Sequence, residues 1–409
     1  MRDRTLYEQI LGLPEPWRVT DVELRDEASE VIVQVGVGRA LKLSCPQCGE
    51  PMVGYDHRRR QWRHLDTCQY KTIIEADVPR GQCPTHGVRQ IQVPWAEEGS
   101  RFTALFEALA IDWLRETSQT AVARRLRLTW SQVHGIMNRA VARGLARRKR
   151  EVIPYLGIDE TSFQKRHEYV TVVCDLLNRR VLYVADGRSK DSIDGFYKGL
   201  TPTQLEGIEG VAMDMWRPYV SSTQAWVPDA EGKIVFDKFH VVAHLFKALD
   251  DVRKQENRHL RKQGDTTLTG TKYLWLKGRD RFDPDSWLEF SQLRESSLKT
   301  ARAWAIKEAF SHFWSYVYLG SARKFFQQWY SWAIRSQLEP IKKVARMFKA
   351  RLENILTYLT HRITNAIAEG INAKIQWIKR TAHGFGNRDN FRAAILFHCG
   401  GLDLYPHGI

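Results

Sequence analysis

The 409-residue sequence lacks an uninterrupted apolar run of the roughly 18 residues that a membrane-spanning helix needs. Its opening residues are not followed by the short apolar core of a secretion signal. Acidic residues are scarce relative to basic ones, at 47 against 62. We therefore expect an intracellular protein without a membrane partner. The net charge of +15 favours a polyanionic ligand, DNA or RNA, over a merely basic surface.

Cysteine is also sparse, with six residues, and in a reducing compartment close spacing of cysteines indicates metal binding rather than disulfides. Two similar turns occur, Cys45-Pro-Gln-Cys48-Gly and Cys83-Pro-Thr-His86-Gly. Together they supply three sulfurs and one imidazole, the tetrahedral ligand set of a structural zinc ion. Cys68 lies between the turns and is interpreted as a small buried side chain, with replacement of His86 as a ligand left open.

The segment between these turns is rich in arginine around Trp62. It is either a solvated hairpin or a phosphate contact, and the charge of the whole chain favours the phosphate contact. The residues concerned are Arg58, Arg59, Arg60, Arg63 and His64.

A helix-turn-helix is predicted from two short helices, Gln119–Leu126 and Trp130–Arg143, joined by three residues. Thr129 and Gln132 have the spacing of a capping box, which fixes where the second helix begins. The apolar stripe of that helix consists of Val133, Ile136, Ala140 and Val141.

The opposite face of the second helix is polar and is predicted to enter the major groove of DNA. Its candidate DNA contacts are Ser131, Gln132, His134, Asn138 and Arg139. A basic run follows the helix and strengthens the prediction, because phosphate contacts dominate DNA affinity. That run is Arg147, Arg148, Lys149 and Arg150.

The next region has three consecutive apolar segments followed by alternating strands and helices, each late strand ending in a carboxylate. This order is typical of a ribonuclease-H-like α/β fold, in which ligands gather at the carboxyl ends of strands. The predicted strands are Tyr155–Phe163, Glu168–Asp175, Arg180–Asp186, Gly210–Met213 and Lys233–Phe236, with helices at Ser189–Leu200 and Trp216–Trp226.

From Val241 to about Leu359 the sequence becomes helical, basic and rich in tryptophan, which indicates an all-α insertion whose aromatics form its core. Arg362–Arg380 then forms a helix with an isoleucine face and an opposite polar stripe. Glu369 is the acid of that stripe.

Asp159, Asp214 and Glu369 are the candidate members of a three-carboxylate site. Phosphoryl transfer on DNA uses two divalent cations, for which hard oxygen ligands and Mg²⁺ or Mn²⁺ are suited. Asp237 and His240 are accessory candidates that orient water or phosphate. Glu160 is a rival acid, but strand alternation places it on the opposite face from Asp159. Asp175 is a further rival.

A family resemblance rests on a series of short motifs over most of the chain, from about Cys45 to Phe391. They are the paired CPxCG and CPTHG turns, VPWAEEGSRFT, GIDE, VAMDMW, FDKFH and NAIAEGINAKIQWIKRTAHGF. The series resembles the ISL-three family of bacterial insertion-sequence transposases. That resemblance implies an N-terminal zinc-binding module, a helix-turn-helix and a DDE catalytic domain with an insertion before the last acid. By motif match, Asp159, Asp214 and Glu369 take the catalytic positions, and Asp237 and His240 match a motif of related transposases.

The expected architecture is multidomain: a small zinc ribbon, an all-α helix-turn-helix and a ribonuclease-H-like α/β catalytic domain with an all-α insertion. The expected boundaries are 1–38 for an N-terminal arm, 39–95 for the zinc module, 96–150 for the helix-turn-helix, 151–245 and 360–409 for the two parts of the catalytic domain, and 246–359 for the insertion.

The expected function is that of a DNA transposase that binds the terminal inverted repeats of its element, hydrolyses phosphodiesters and transfers the 3′-hydroxyl ends into target DNA. The resemblance further implies a homodimer on DNA, two Mg²⁺ or Mn²⁺ ions per catalytic site and one Zn²⁺ per chain. We expect it in the bacterial cytoplasm, at the nucleoid. A transposase-derived DNA-binding regulator and a ribonuclease-H-like nuclease remain as alternatives.

Overall fold

The computed structural model describes residues 3–38, 41–164, 168–296 and 298–407. The chain divides into two compact units. The first comprises Met1–Lys149 together with Gly401–Ile409, and the second comprises Arg150–Gly400. Within the described ranges, none of the helices combines the length and the apolar character that crossing a bilayer requires.

The first unit is built on a five-stranded sheet preceded by a short helix. The strand order is β1-β2-β4-β3, with β5 paired to β4, and only β2 and β4 run parallel among these pairs. The first 38 residues, expected to form an arm, thus contribute two strands to this sheet. The elements are α1 (Asp3–Leu11), β1 (Trp17–Arg25), β2 (Glu30–Val37), β3 (Val53–Arg63), β4 (Lys71–Cys83) and β5 (Gly87–Gln90).

Tryptophans hold this sheet to the segment that follows it. The ring of Trp95 packs edge-on against Trp17 at 4.9 Å and against Trp62 at 5.3 Å between centroids. All three rings are buried, and such edge-to-face pairs stabilise a core beyond the area that they bury. Ile91, Val93, Trp95 and Ala96 are therefore part of the sheet's core.

Three helices complete the main body of the first unit: α2 (Ala104–Glu116), α3 (Gln119–Arg125) and α4 (Trp130–Arg147). The predicted capping box is confirmed, since the Gln132 amide donates to the Thr129 hydroxyl and the Gln132 side chain accepts from the Thr129 amide. The predicted apolar stripe of α4 is also buried. The helix continues to Arg147, four residues beyond its predicted end.

The last residues of the chain pack against α4, within the first unit. Leu404 is buried, and its carbonyl accepts a hydrogen bond from Arg143. Gly144 permits this close approach, because a Cβ there would lie 2.6 Å from the Cβ of Leu402. The tail therefore belongs with the helix-turn-helix, although 360–409 was expected to be catalytic throughout.

The second unit contains a mixed five-stranded sheet in the order β10-β9-β6-β7-β8. The three strands β6, β7 and β8 are antiparallel, whereas β9 and β10 extend the sheet parallel to β6. The strands are β6 (Tyr155–Gln164), β7 (Glu168–Asp175), β8 (Arg180–Asp186), β9 (Gly210–Met213) and β10 (Ile234–Phe236).

Helices cover both faces of this sheet, and a helical region lies between β10 and the last pair of helices. The buried tryptophans of that region share one apolar core with β6, β9 and β10, so they are core residues as expected. The helices are α5 (Lys190–Lys198), α6 (Pro202–Glu206), α7 (Arg217–Trp226), α8 (Lys238–Lys262), α9 (Lys272–Leu276), α10 (Pro284–Glu295), α11 (Lys299–Ser311), α12 (Leu319–Arg335), α13 (Glu339–Ala350), α14 (Leu352–His361), α15 (Ala366–Thr381) and α16 (Arg388–Cys399).

Candidate active site and metal centres

Asp159 lies in the middle of β6, the central strand of the second sheet, and faces α15. One carboxylate oxygen accepts a hydrogen bond from the side-chain amide of Asn372 at 2.7 Å, and the other accepts from the backbone amide of Glu160 at 2.8 Å. Burial raises the pKa of Asp159 to about 7, and the negative charges of Asp214 and Glu160 add to this shift. Asp159 is therefore fixed in orientation and favours a bound proton or cation.

The two rival acids have structural roles. Glu160 points to the other face of the sheet, where it accepts a hydrogen bond from Tyr219 of α7 at 3.1 Å. Asp175 is buried and accepts from the amides of Leu177 and Asn178, which closes the turn after β7. The alternation argument that separated Glu160 from Asp159 is thus confirmed.

Asp214 follows β9 directly and lies against His240 in the first turn of α8. The Nδ1 atom of His240 is 2.7 Å from Asp214 and 3.0 Å from Asp237. These two carboxylates raise the pKa of His240 to about 10, in spite of its partial burial. The protonated side chain of His240 therefore forms ion pairs with Asp214, which follows β9, and with Asp237, which follows β10.

Asp237 is fully buried and serves as the N-cap of α8, accepting from the backbone amide of His240. Its other oxygen accepts from the backbone amide of Asn365 at 3.3 Å. Burial acts to raise the pKa of Asp237, but hydrogen bonds from His240 and the Asn365 amide outweigh burial, and the net shift is downward. Asp237 is thus an ionised anchor between α8 and the start of α15.

Glu369 lies exposed in the first turn of α15, which begins right after Asn365. Its carboxylate, Asp237 and His240 form a group whose potential ligand atoms lie within 4.8 Å of one another. Asp159 and Asp214 are outside that group. Asp214 is nevertheless in direct contact with His240, a member of the group. The structure thus brings Asp214, Asp237, His240 and Glu369 together, and Asp159 is close enough for the charge of Asp214 to raise its pKa.

The donor set at this place fits a hard divalent cation. Carboxylate oxygens dominate it, and these are the ligands that Mg²⁺ and Mn²⁺ prefer. The side-chain oxygens of Asn365 and Asn372 are buried and have no hydrogen-bond partner among the described residues. Buried polar atoms are otherwise nearly always paired, so the two oxygens add acceptor capacity beside the carboxylates.

Asp159→Asn is expected to stabilise the protein in EDTA at pH 8 by about 1–3 kcal/mol, after discounting for partial exposure. The pKa of Asp159 is raised to about 7, so the folded state favours the protonated form. The contribution of Asp159 to the free energy of unfolding is complete below the pKa that this residue has in the unfolded chain. It is lost as the pH rises from that value through 7. Urea unfolding at pH 8 and pH 5 tests this, because the gain should shrink at pH 5, where Asp159 carries a proton. A gain that is larger at pH 5 would contradict the assignment.

Four side chains of the first unit form a second metal-ligating group: Cys45, Cys48, Cys83 and His86. The sulfurs of Cys48 and Cys83 are 3.7 Å apart, and Nδ1 of His86 is 3.6 Å from the sulfur of Cys83. Tetrahedral zinc with Zn–S bonds of about 2.3 Å separates two sulfurs by about 3.8 Å, and a sulfur from a nitrogen by about 3.6 Å. The spacing therefore matches zinc.

The electrostatics of this group suit a thiolate ligand. Burial acts to raise the pKa of Cys45, but backbone amides of Cys48 and Gln47 donate to its sulfur and the pKa falls to about 6. His86 is a member of the group, whereas Cys68 lies outside it. The predicted burial of Cys68 was wrong, because the residue lies in an exposed turn between β3 and β4. The geometry thus favours His86 over Cys68 as the fourth ligand.

The polar face of α4 is only partly as predicted. Ser131, Gln132 and Asn138 are exposed, and the half-buried His134 stacks on the exposed ring of Trp130 at 4.8 Å. Arg139, by contrast, does not point outward. Its guanidinium pairs with the buried carboxylate of Glu107 in α2, because that acid needs a cation inside the domain.

The basic run after α4 is also divided. Arg147 pairs with Asp403 of the tail at 3.0 Å and donates to the carbonyl of Tyr405. Arg148 is the C-cap of α4, and Lys149 and Arg150 are exposed. Arg147 is therefore held inside the first unit, as Arg139 is.

Asn365 and Asn372 are site residues that the sequence did not reveal as such. Both belong to the polar stripe of α15, and they contact Asp237 and Asp159 respectively. The stripe continues with Gln376, which donates to Thr161 of β6 at 2.6 Å. Asn365, Asn372 and Gln376 are separated by seven and four residues, and this spacing is the signal that could have shown them as one sheet-facing row.

Comparison with known proteins agrees with this arrangement. A family model described as a transposase matches residues 156–395, and a model for the helix-turn-helix domain of transposase family ISL3 matches residues 91–141. A model for the zinc-finger of transposases of IS204, IS1001, IS1096 and IS1165 matches residues 42–86. The matches confirm the zinc-ribbon, helix-turn-helix and DDE-domain classes in the predicted order.

Two curated relatives span nearly the whole chain. A transposase for insertion sequence element IS1001 from Bordetella parapertussis is 28% identical over 396 residues, which cover 96% of this chain and 97% of that protein. A transposase for IS1557 from Mycobacterium tuberculosis (strain ATCC 25618 / H37Rv) is 28% identical over 417 residues, with coverage of 94% and 93%. With its transposase domain, its helix-turn-helix and its zinc ribbon all matched, the chain belongs to the ISL3 family of transposases.

Proposed function

We propose that this transposase cuts and joins DNA at the site where β6, β9, α8 and α15 meet, with Asp159, Asp214 and Glu369 as its catalytic acids. The observation that carries this is a chain of contacts: His240 touches both Asp214 and Asp237, and the ligand atoms of Glu369, Asp237 and His240 lie within 4.8 Å of one another. Antiparallel β6–β8 extended by parallel β9 and β10 supports a ribonuclease-H-like catalytic domain.

Two Mg²⁺ or Mn²⁺ ions held by these acids would activate the attacking oxygen and stabilise the leaving oxygen of an in-line displacement. The chain's own residues orient the acids. Asn372 holds the carboxylate of Asp159, His240 holds that of Asp214, and the Asn365 amide holds Asp237, so each acid is positioned before DNA binds. Water and a 3′-hydroxyl need the same activation, and one site therefore serves both hydrolysis and strand transfer.

We assign recognition of the terminal inverted repeats to the first unit, with Zn²⁺ at the Cys3His group, one ion per chain. The exposed residues Ser131, Gln132 and Asn138, with His134, form the base-reading face of α4. Arg148 and Lys149 contact phosphate, together with Arg150, the exposed first residue of the second unit. Arg139 and Arg147 keep a supporting role, because their charges are paired within the unit.

The two ends of an element must be joined together, so we propose a homodimer on DNA. We place the enzyme at the nucleoid in the bacterial cytoplasm, where both the element's ends and target DNA are present.

The test is a joining reaction with purified protein, Mg²⁺ and labelled DNA that carries the candidate ends. The wild type should yield cleaved and then joined products, and Glu369→Gln should yield neither while it still binds the ends. Binding without products by the wild type would favour a DNA-binding regulator. Cleavage of branched or hybrid substrates without any joining would favour a nuclease.

A further inference from the structure

A basic cleft of about 900 Å³ lies in the first unit, beside the edge strand β3. Its walls are β3, β5 and the segment 91–101 that precedes α2. Four arginines line it: Arg59, Arg60, Arg89 and Arg101.

Most of the acids around the cleft are already engaged. Glu75 accepts hydrogen bonds from Arg59 and Gln61, and Glu97 accepts from Arg143 of α4. Glu98 is the remaining acid of the lining and is exposed. Three cleft arginines therefore face a single acid, and the cleft has a net positive charge.

The hydrogen-bond partners of two of these arginines are neutral. Arg60 donates to the side-chain oxygen of Gln90 at 3.1 Å, and Arg89 donates to the carbonyl of Val88 at 3.0 Å. Such bonds orient a guanidinium without cancelling its charge. The backbone carbonyl of Arg101 accepts from Arg63 of β3, which fixes where the third side chain leaves the backbone.

Like charges also crowd one another here. Burial, together with the neighbouring charges of Arg58, Arg101 and Arg80, lowers the pKa of Arg60. Arg80 is bound by both oxygens of Asp56, but its charge is still close enough to contribute. Repulsion of this kind destabilises the folded chain, and an anion in the cleft relieves it.

The cleft and the helix-turn-helix both belong to the first unit, and hydrogen bonds connect them. Arg143 of α4 reaches Glu97 in the cleft wall at 2.8 Å. Arg127, in the turn before α4, donates to the carbonyl of Gln69 in the β3–β4 connection at 3.0 Å. The side chain of His64, next to β3, lies 2.9 Å from that of Thr103, the N-cap of α2. The Arg143–Glu97 bond joins the cleft wall to α4 directly, and the other two contacts join the β3 region to the turn before α4 and to α2.

We propose that this cleft holds the sugar-phosphate backbone of duplex DNA flanking the segment read by α4, with Arg60, Arg89 and Arg101 as the phosphate ligands. The inference rests on the proposed role of the first unit in binding DNA ends. Guanidinium groups match phosphate oxygens in charge and geometry, and two of these are already oriented. Contacts to phosphate carry no sequence information, so the cleft adds affinity and register rather than specificity.

The test compares the full-length triple variant Arg60→Gln, Arg89→Gln, Arg101→Gln with a matched triple variant, Arg4→Gln, Arg18→Gln, Arg25→Gln. The control residues are exposed on α1 and β1, at the opposite edge of the sheet. Their substitution removes three positive charges, as the substitutions in the cleft do. Binding is measured by fluorescence anisotropy from 50 to 200 mM salt. The probes are duplex DNA with the candidate ends, duplex DNA of scrambled sequence and a hairpin RNA of equal length. Circular dichroism melting verifies the fold of each variant.

The cleft variant should bind both DNA probes on the order of 100-fold more weakly at low salt, and the slope of log K against log salt should become less steep by about 2.7. Hydroxyl-radical footprints should shorten on one side of the α4 site. The control triple should keep most of the affinity and the whole footprint.

Unchanged affinity, slope and footprint in the cleft variant would overturn the proposal. Equal losses of affinity in the two triple variants would also overturn it, as would tighter binding of the RNA hairpin than of the DNA probes. Failure of the proposed function looks different: wild-type protein would show no preference for the end sequence over the scrambled one. The effect of the cleft on scrambled DNA would still be measurable.

Discussion

Asp214→Asn is expected to lower DNA strand cleavage by at least about 1,000-fold while leaving DNA binding intact. Under the proposed function this carboxylate holds a catalytic cation, whose contribution to the transition state is several kcal/mol, with about 1.4 kcal/mol for each tenfold in rate. Asparagine is nearly isosteric, but it removes the charge that His240 contacts at 2.7 Å. Single-turnover cleavage of end-labelled DNA, with anisotropy for binding, measures both quantities.

Glu160→Gln is the matched control for this experiment. Glu160 follows Asp159 in β6, but its side chain contacts Tyr219 and Arg188 on the other face of the sheet. We expect its cleavage rate to stay within a few-fold of wild type. Equal rates for the two variants would refute the assignment of Asp214 as a catalytic acid.

Cys83→Ser is expected to abolish zinc binding and to unfold the part of the first unit around β4 and β5. Structural zinc contributes about 10–16 kcal/mol of apparent binding free energy in zinc-finger peptides, as much as the whole stability of a typical domain. Cys83 is fully buried at the end of β4, and its sulfur contacts both Cys48 and His86. Zinc per chain, measured by mass spectrometry, should fall from one to near zero, and binding to the end DNA should be lost.

Cys68→Ser is the control that distinguishes the loss of a zinc ligand from the loss of any cysteine. Cys68 is exposed and lies outside the ligand group, so the variant should keep its zinc and its affinity for DNA. A loss of zinc in Cys68→Ser with retention in His86→Ala would mean that Cys68 is the fourth ligand.

Local patterns predicted the elements well where a buried core fixes the periodicity. The strands β7, β8 and β9 have the predicted bounds, and the capping box at Thr129 sets the start of α4 as expected. These features depend on contacts between residues close in sequence, which apolar spacing and cap chemistry record directly. The association of β2 with β4 depends on distant segments, and alternation within each strand does not specify the neighbouring strand.

Asp159, Asp214 and Glu369 were proposed as catalytic acids from strand positions and motifs, but the residues that hold Asp159 and Asp237 were not predicted. Asn365 and Asn372 are ordinary polar residues of an amphipathic helix, and their hydrogen bonds reach partners more than 100 residues away. The outward position predicted for Arg139 was wrong for a similar reason. Helical periodicity predicts the face on which a residue lies. A long arginine side chain can still bend towards a buried acid, as that of Arg139 does to pair with Glu107.

The chain begins with the DNA-binding unit, leaves it at Lys149, and re-enters it at Gly401. A ribosome therefore synthesises α4 early, but Leu404 and Tyr405, which bind Arg143, Asp112 and Arg147, emerge only after the entire catalytic unit. A nascent polypeptide, or one that ends before Gly401, lacks these contacts. The unit that contains the helix-turn-helix is thus completed only after the whole of the second unit, Arg150–Gly400, has been synthesised.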